Sequence, residues 1–144
     1  MTSKLSTEDA NTFIDRKFGD NVSNARLISM EKSKAVMRYT AKPFDLREDG
    51  YFSAPALMTL ADSIAYFAIL TETGRIEKLK TTNLNISFVE PCMGPVAIAE
   101  GRLVKLGTSL ATIETRVRSE NEEEAACRAI VTYSLPRDIG ESQA

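Results

Sequence analysis

Between Asp49 and Glu72 the chain carries one charged residue, Asp62, inside the stretch SAPALMTLADSIAYFAIL from Ser53 to Leu70. Burying an unpaired carboxylate is expensive, so its placement in so apolar a run asks for a reason. A carboxylate there can take a proton from water or attack an electrophilic carbon directly. The other reading is a packed carboxyl satisfied by hydroxyls or by a partner chain. The sequence has no histidine. That excludes His-dependent triads and HExxH zinc sites and leaves carboxylates, hydroxyls, thiols, Lys, Arg and backbone dipoles as the means of catalysis. Cys92 and Cys127 form no CxxC and no metal-ligand pattern, so no metal or other cofactor is expected. They read as two buried free thiols in a reducing cytosol, with a single disulfide as the alternative.

The elements that must hold Asp62 follow from patterning. Leu57, Leu60, Ala61, Ile64, Ala65 and Ala68 recur at helical spacing, with Ser53 as N-cap, Pro55 in the first turn and Gly74 as the stop. This predicts a central helix over about 54–73. Its length would allow a membrane span, but Asp62 breaks the run and no positive flank orients it, so it reads as a core helix. Ser6 to Asp9 begin an N-terminal helix over about 6–18. Ala25–Met30 and Lys34–Ala41 read as a hairpin, with Lys42–Phe52 as a loop. Thr81–Val89 alternates, with Leu84, Ile86 and Phe88 on one face and Asn83, Asn85 and Ser87 on the other. Val96–Lys105 and Ser109–Arg118 are strands joined at Leu106-Gly107-Thr108, and Ala125–Leu135 is the last strand before a frayed tail, 136–144.

The chain of 144 residues, 43% hydrophobic and 26% charged, makes one domain, and a net charge of −2 gives no basic excess for nucleic acid or an anionic membrane. The N-terminus lacks the apolar run of a signal peptide, so a cytoplasmic protein is expected. Short links between strands favour antiparallel pairing. One long apolar helix then needs a sheet curled round it. The expected class is α+β.

That order resembles the hotdog fold, a curved antiparallel sheet wrapped around one long central helix. It is similar to the acyl-CoA thioesterases of the phenylacetic-acid-degradation type. Three stretches carry the resemblance: Gly50 to Asp62; Thr81 to Phe88 with Glu90-Pro91; and Gly101 to Leu110. The family's loop, Asn-x-x-Gly-x-x-His-Gly-Gly, is followed by an acidic residue on the central helix. Asp62 falls on the acidic position and Gly50 on the loop glycine, while Arg47 stands at the Asn position and Ser53, Ala54 and Pro55 replace His-Gly-Gly. The resemblance implies a thioester hydrolase acting on acyl-CoA in a homodimer or dimer of dimers, with the site between subunits.

Under it, Asp62 is the base or nucleophile, and the N–H of Ala54 at the helix start polarises the thioester carbonyl. Pro55 supplies no second donor. Thr81 matches a polar position near the attacking water, reached from the neighbouring subunit; its other reading is a strand-edge threonine. Asn83 and Asn85 line a polar dimer face or are simply exposed. Arg102, Lys105, Thr108 and Ser109 hold CoA phosphates or form a solvated strand and turn. Arg47 binds a phosphate or carboxylate, or pairs with Glu48 or Asp49. Met37, Met58 and Met93 line an acyl channel or fill the core. Tyr66, with Tyr51, Phe52 and Phe67, offers an aromatic wall or ordinary core. Gly50 and Ser53 complete the substrate loop. A non-catalytic acyl-CoA or small-ligand binding protein of the same fold is the rival reading, favoured by the altered Ser53-Ala54-Pro55 turn. A hotdog hydratase would need the histidine that this chain lacks.

Overall fold

The computed structural model describes residues 2–18, 24–74 and 78–136. The elements run α1 (Thr7–Phe18), β1 (Ala25–Glu31), β2 (Lys34–Thr40), a 3-10 turn at Pro43–Asp45, α2 (Ala54–Thr73), β3 (Lys80–Phe88), β4 (Val96–Leu106), β5 (Leu110–Ser119) and β6 (Cys127–Ser134). The strands form one antiparallel sheet in the order β1-β2-β4-β5-β6-β3. The sheet packs against α2 along much of its width, from β2 to β6. This is the α+β hotdog arrangement expected above, and the strand and helix limits lie within two residues of those read from the pattern. The order of strands was not legible: the connection from β2 through α2 skips the places of β4, β5 and β6 and sets β3 at the far edge beside β6. Apart from Pro136, the expected frayed tail lies outside the described residues.

Local chemistry fixes the ends of α2. Ser53 is extended, and its hydroxyl accepts from the Ala56 N–H at 3.2 Å, while Gly74 takes the left-handed conformation at φ 75° and its N–H bonds the Leu70 carbonyl at 3.0 Å. The helix is long and apolar enough to cross a membrane by length and composition. Here it is the core helix, with Leu57, Leu60, Ile64, Phe67 and Ile69 buried.

Small residues set its distance from the sheet. Ala61, Ala65 and Ala68 have no exposed surface. Gly101 of β4 lies beneath them, where an added Cβ would come 2.8 Å from the Ile64 carbonyl oxygen and 3.3 Å from the Ala68 Cβ. At the end of α2, the buried Thr71 hydroxyl donates to the Ala68 carbonyl at 2.7 Å and accepts from the Ser33 N–H at 3.0 Å, tying the helix to the β1–β2 turn.

Register slips of one residue occur at Ile28, Thr82 and Val104. Each bulge reverses which face the following side chains occupy. At the opposite edge α1 covers β1: the Asn11 amide accepts from the Leu27 N–H at 2.9 Å and donates to the Leu27 carbonyl at 3.0 Å. Cys92 and Cys127 are free and buried, and burial pushes each thiol up to about 11.

Two expectations follow. Gly101→Ala forces α2 off its seat and lowers stability by about 1–3 kcal/mol, roughly 3–10 °C in a thermal melt; an unchanged melting temperature would contradict the close approach. Both thiols are expected to resist alkylation at neutral pH in the native protein and to react on unfolding, which mass spectrometry would register.

Candidate active site

A cleft of about 1030 Å³ opens along one flank of α2, bounded by α1, β2, the loop after β2 and the start of β3. Asp62 lies in its wall, half-buried. Its Oδ1 accepts from the Thr81 hydroxyl at 2.7 Å. The Tyr133 hydroxyl stands 3.0 Å from Oδ1 and 2.9 Å from the Asp62 carbonyl oxygen, so its one proton is shared between them. Oδ2 has no hydrogen-bond partner among the described residues. One carboxylate oxygen is thus anchored by hydroxyls, and the other is left for a ligand or water.

The bulge at Thr82 makes this possible. Thr81 pairs with the buried Tyr133, whereas Asn83 pairs with Thr132 and Leu84 with Val131. Without the slip, Thr81 would share the outer face with Asn83. Burial pushes the Tyr133 phenol above its ordinary range; the Thr81 hydroxyl opposes the rise and the Asp62 carboxylate adds to it. Tyr39, also in the cleft wall, is pushed up by burial and by its hydrogen bond to Asp45.

Of the residues singled out in the sequence, Asp62, Thr81, Tyr66, Ser53, Pro55, Met37 and Phe67 border the cleft. The Thr81 hydroxyl reaches Asp62 of its own chain. The following do not border it. Arg47 is exposed and pairs with Asp49 at 2.8 Å, the second of its two readings. Gly50, at φ +86°, closes a tight loop with Arg47 and accepts from the Gly94 N–H through its carbonyl. Ala54 is the first residue of α2 and is exposed; Met58 is exposed one turn before Asp62, and neither borders the cleft. Arg102 lies opposite Glu114 in the β4–β5 register, and the bulge at Val104 puts Lys105 opposite Thr112 on the outer face, while Thr108 sits in the β4–β5 turn. Asn83 is on the outer face, and Asn85 borders a second, smaller concavity there with Arg116 and Arg128.

Residues 49–126 match the model of the thioesterase superfamily, more than half of the chain. The chain belongs to the thioesterase superfamily. An esterase-like protein of Saccharolobus solfataricus is 26% identical over 115 residues, covering 79% of this chain and 80% of its own. A thioesterase-like protein of Silicibacter sp. TM1040 is 27% identical with a TM-score of 0.83, over 94% of this chain and 95% of that one. A thioesterase-like protein of Streptococcus pneumoniae TIGR4, solved with coenzyme A, shares the fold at 18% identity and a TM-score of 0.68, over 78% and 89% of the two chains.

In this thioesterase-superfamily chain two features escaped the sequence. Tyr133 reads as one more apolar position of the last strand, and only the β3–β6 register brings it under Asp62. Among the described residues the cations bordering the cleft are Lys42, Lys78 and Lys80, rather than Arg102 and Lys105. A cluster of lysines just before β3 was visible, but without the strand order nothing tied it to Asp62.

Because Tyr39 and Tyr133 hold their protons more tightly when folded, their stabilising contribution is complete below about pH 10, the unfolded tyrosine value, and is lost as pH rises above it. The two thiols add a loss of the same sign that begins near pH 8.5. Denaturant unfolding across this alkaline range is expected to show falling stability, with a shallower fall above about pH 10 in Tyr133→Phe. An identical slope in that variant would count against the buried phenol.

Proposed function

We propose that this chain is an acyl-CoA thioesterase of the phenylacetic-acid-degradation type, hydrolysing a thioester to a free acid and CoA, with Asp62 in the chemistry. The observation that carries the reading is the Asp62 carboxylate, with Oδ1 held by Thr81 and Tyr133 and Oδ2 without a partner among the described residues, in the wall of a large cleft. In the base route, Oδ2 takes a proton from a water whose oxygen adds to the thioester carbonyl. The carbonyl electrons move onto oxygen, and collapse of the tetrahedral species breaks the C–S bond. The proton then passes from Asp62 to the leaving thiolate. In the nucleophilic route Oδ2 itself attacks, thiolate leaves, and water cleaves the resulting anhydride. Thr81 and Tyr133 act as positioning residues in both.

The oxyanion must be met by a donor, and the helix N-terminus at Ala54 is suited to that. Ala54 precedes Asp62 by eight residues on α2, about 12 Å along the axis at 1.5 Å per residue. One chain's Ala54 and Asp62 therefore cannot serve the same carbonyl. This supports a homodimer, alone or as a dimer of dimers, in which Ala54 of a second copy faces Asp62. The unpaired outer edge of β3 and the exposed Phe88 and Val89 beside it are consistent with such a contact. Lys42, Lys78 and Lys80 at the cleft suit CoA phosphates, and the coenzyme A bound to the pneumococcal relative supports that ligand class. Two buried free thiols suit a reducing cytoplasm.

A non-catalytic acyl-CoA binding role on the same fold is favoured by Pro55, which brings no N–H to the helix start where the family has glycine. CoA release from acyl-CoA thioesters separates the two. Wild type is expected to turn over, and Asp62→Asn to lose at least about a hundredfold in rate with an unchanged melting temperature. Binding without turnover in wild type would favour the alternative, and full activity in Asp62→Asn would remove Asp62 from the chemistry.

A further inference from the structure

The cleft that holds Asp62 is also bordered by α1, a helix that contributes nothing to the sheet. One turn along α2, Tyr66 lies on the same face as Asp62. Its ring is 6.5 Å from Tyr133, 5.4 Å from Phe67 and 6.3 Å from Phe13 of α1. Phe13 also meets Phe67 edge-on at 6.4 Å. Phe13 and Ile14 border the cleft together with Met37 and Leu60. These rings form a continuous apolar surface from the carboxylate to α1. Phe13 is held where it is because the Asn11 amide clamps the Leu27 backbone and Asp15 pairs with Arg26 at 2.9 Å.

We propose that α1 is the end wall of the acyl pocket and that Phe13 sets the length of acyl group it accepts. The proposal rests on the acyl-CoA reading above and names the substrate class within it. Tyr66 lies about 6 Å beyond Asp62 along the axis of α2, and the Phe13 ring packs against it. A longer acyl chain laid along this wall from Asp62 therefore meets the Phe13 ring, and a shorter one does not. The side chains named on this wall, Tyr66, Phe67, Phe13, Ile14, Met37 and Leu60, carry no charge, which disfavours acyl groups ending in a carboxylate or ammonium.

The test is kcat/KM for a series of saturated acyl-CoA thioesters from butanoyl to hexadecanoyl, with wild type, Phe13→Ala and Phe13→Trp. Wild type is expected to decline as the chain lengthens within this series. Phe13→Ala should raise the dodecanoyl-to-hexanoyl ratio by about tenfold or more, the discrimination a hydrophobic pocket gains from a few methylenes. Phe13→Trp, which keeps an aromatic ring against Tyr66, should move the limit to shorter chains. The same series of non-hydrolysable acyl-CoA thioethers, titrated by calorimetry, reads the wall without turnover. If no thioester is cleaved but the thioether affinities follow chain length and shift with Phe13, the catalytic reading fails and the wall stands. A length profile that neither substitution moves, in turnover or in binding, would overturn the proposal.

Discussion

Everything in this molecule hangs on the seat of α2 against β4. A helix apolar on nearly all sides must be enclosed, and the sheet achieves this by curling round it. Contact at Gly101 brings backbone to backbone, with the Ile64 carbonyl where a side chain would otherwise be. So close an approach leaves the helix little freedom to rotate or slide. The buried Thr71 at one end and the Ser53 cap at the other hold the same orientation. Asp62 is presented to the cleft because the rest of the helix has nowhere else to go.

The polar part of the site is built on irregularities in the sheet. A single extra residue at Thr82 turns the Thr81 hydroxyl inward to meet Asp62, while Asn83 remains outside. A similar slip at Val104 sends Lys105 to the outer face. Bulges of this kind redirect side chains without altering the strand count. Two hydroxyls then satisfy one carboxylate oxygen, so the cost of placing a charge beside a hydrophobic helix is offset without using up the second oxygen.

Within one chain the machinery is divided. The helix start that could stabilise an oxyanion and the carboxylate that could activate water sit at separate turns of α2, too far apart for one small reacting group. Separation along a rigid helix cannot be closed by side-chain motion. It can be closed by the same helix approaching from another copy. One border of the cleft, by contrast, is supplied by the chain itself, through α1 clamped on the edge of β1.

The sequence by itself determined the central helix, the limits of the strands, the α+β class and the singling out of Asp62. Each rests on local signals: 3.6-residue spacing, period-two alternation, a Ser cap, a Gly stop, and one charge in an apolar run. Family resemblance added Thr81. Tertiary structure decided the rest. Strand order put β3 beside β6, and register put Tyr133 under Asp62. The bulge at Thr82 separated Thr81 from Asn83, which strict alternation would have kept on one face. Arg47, Arg102, Lys105 and Thr108 carry suitable chemistry but fall outside the cleft, and Lys42, Lys78 and Lys80 border it. Charged side chains on strands and loops satisfy no local rule about direction, because water accepts them anywhere. Which of them face a site is settled only when non-local pairing has fixed the face each one occupies.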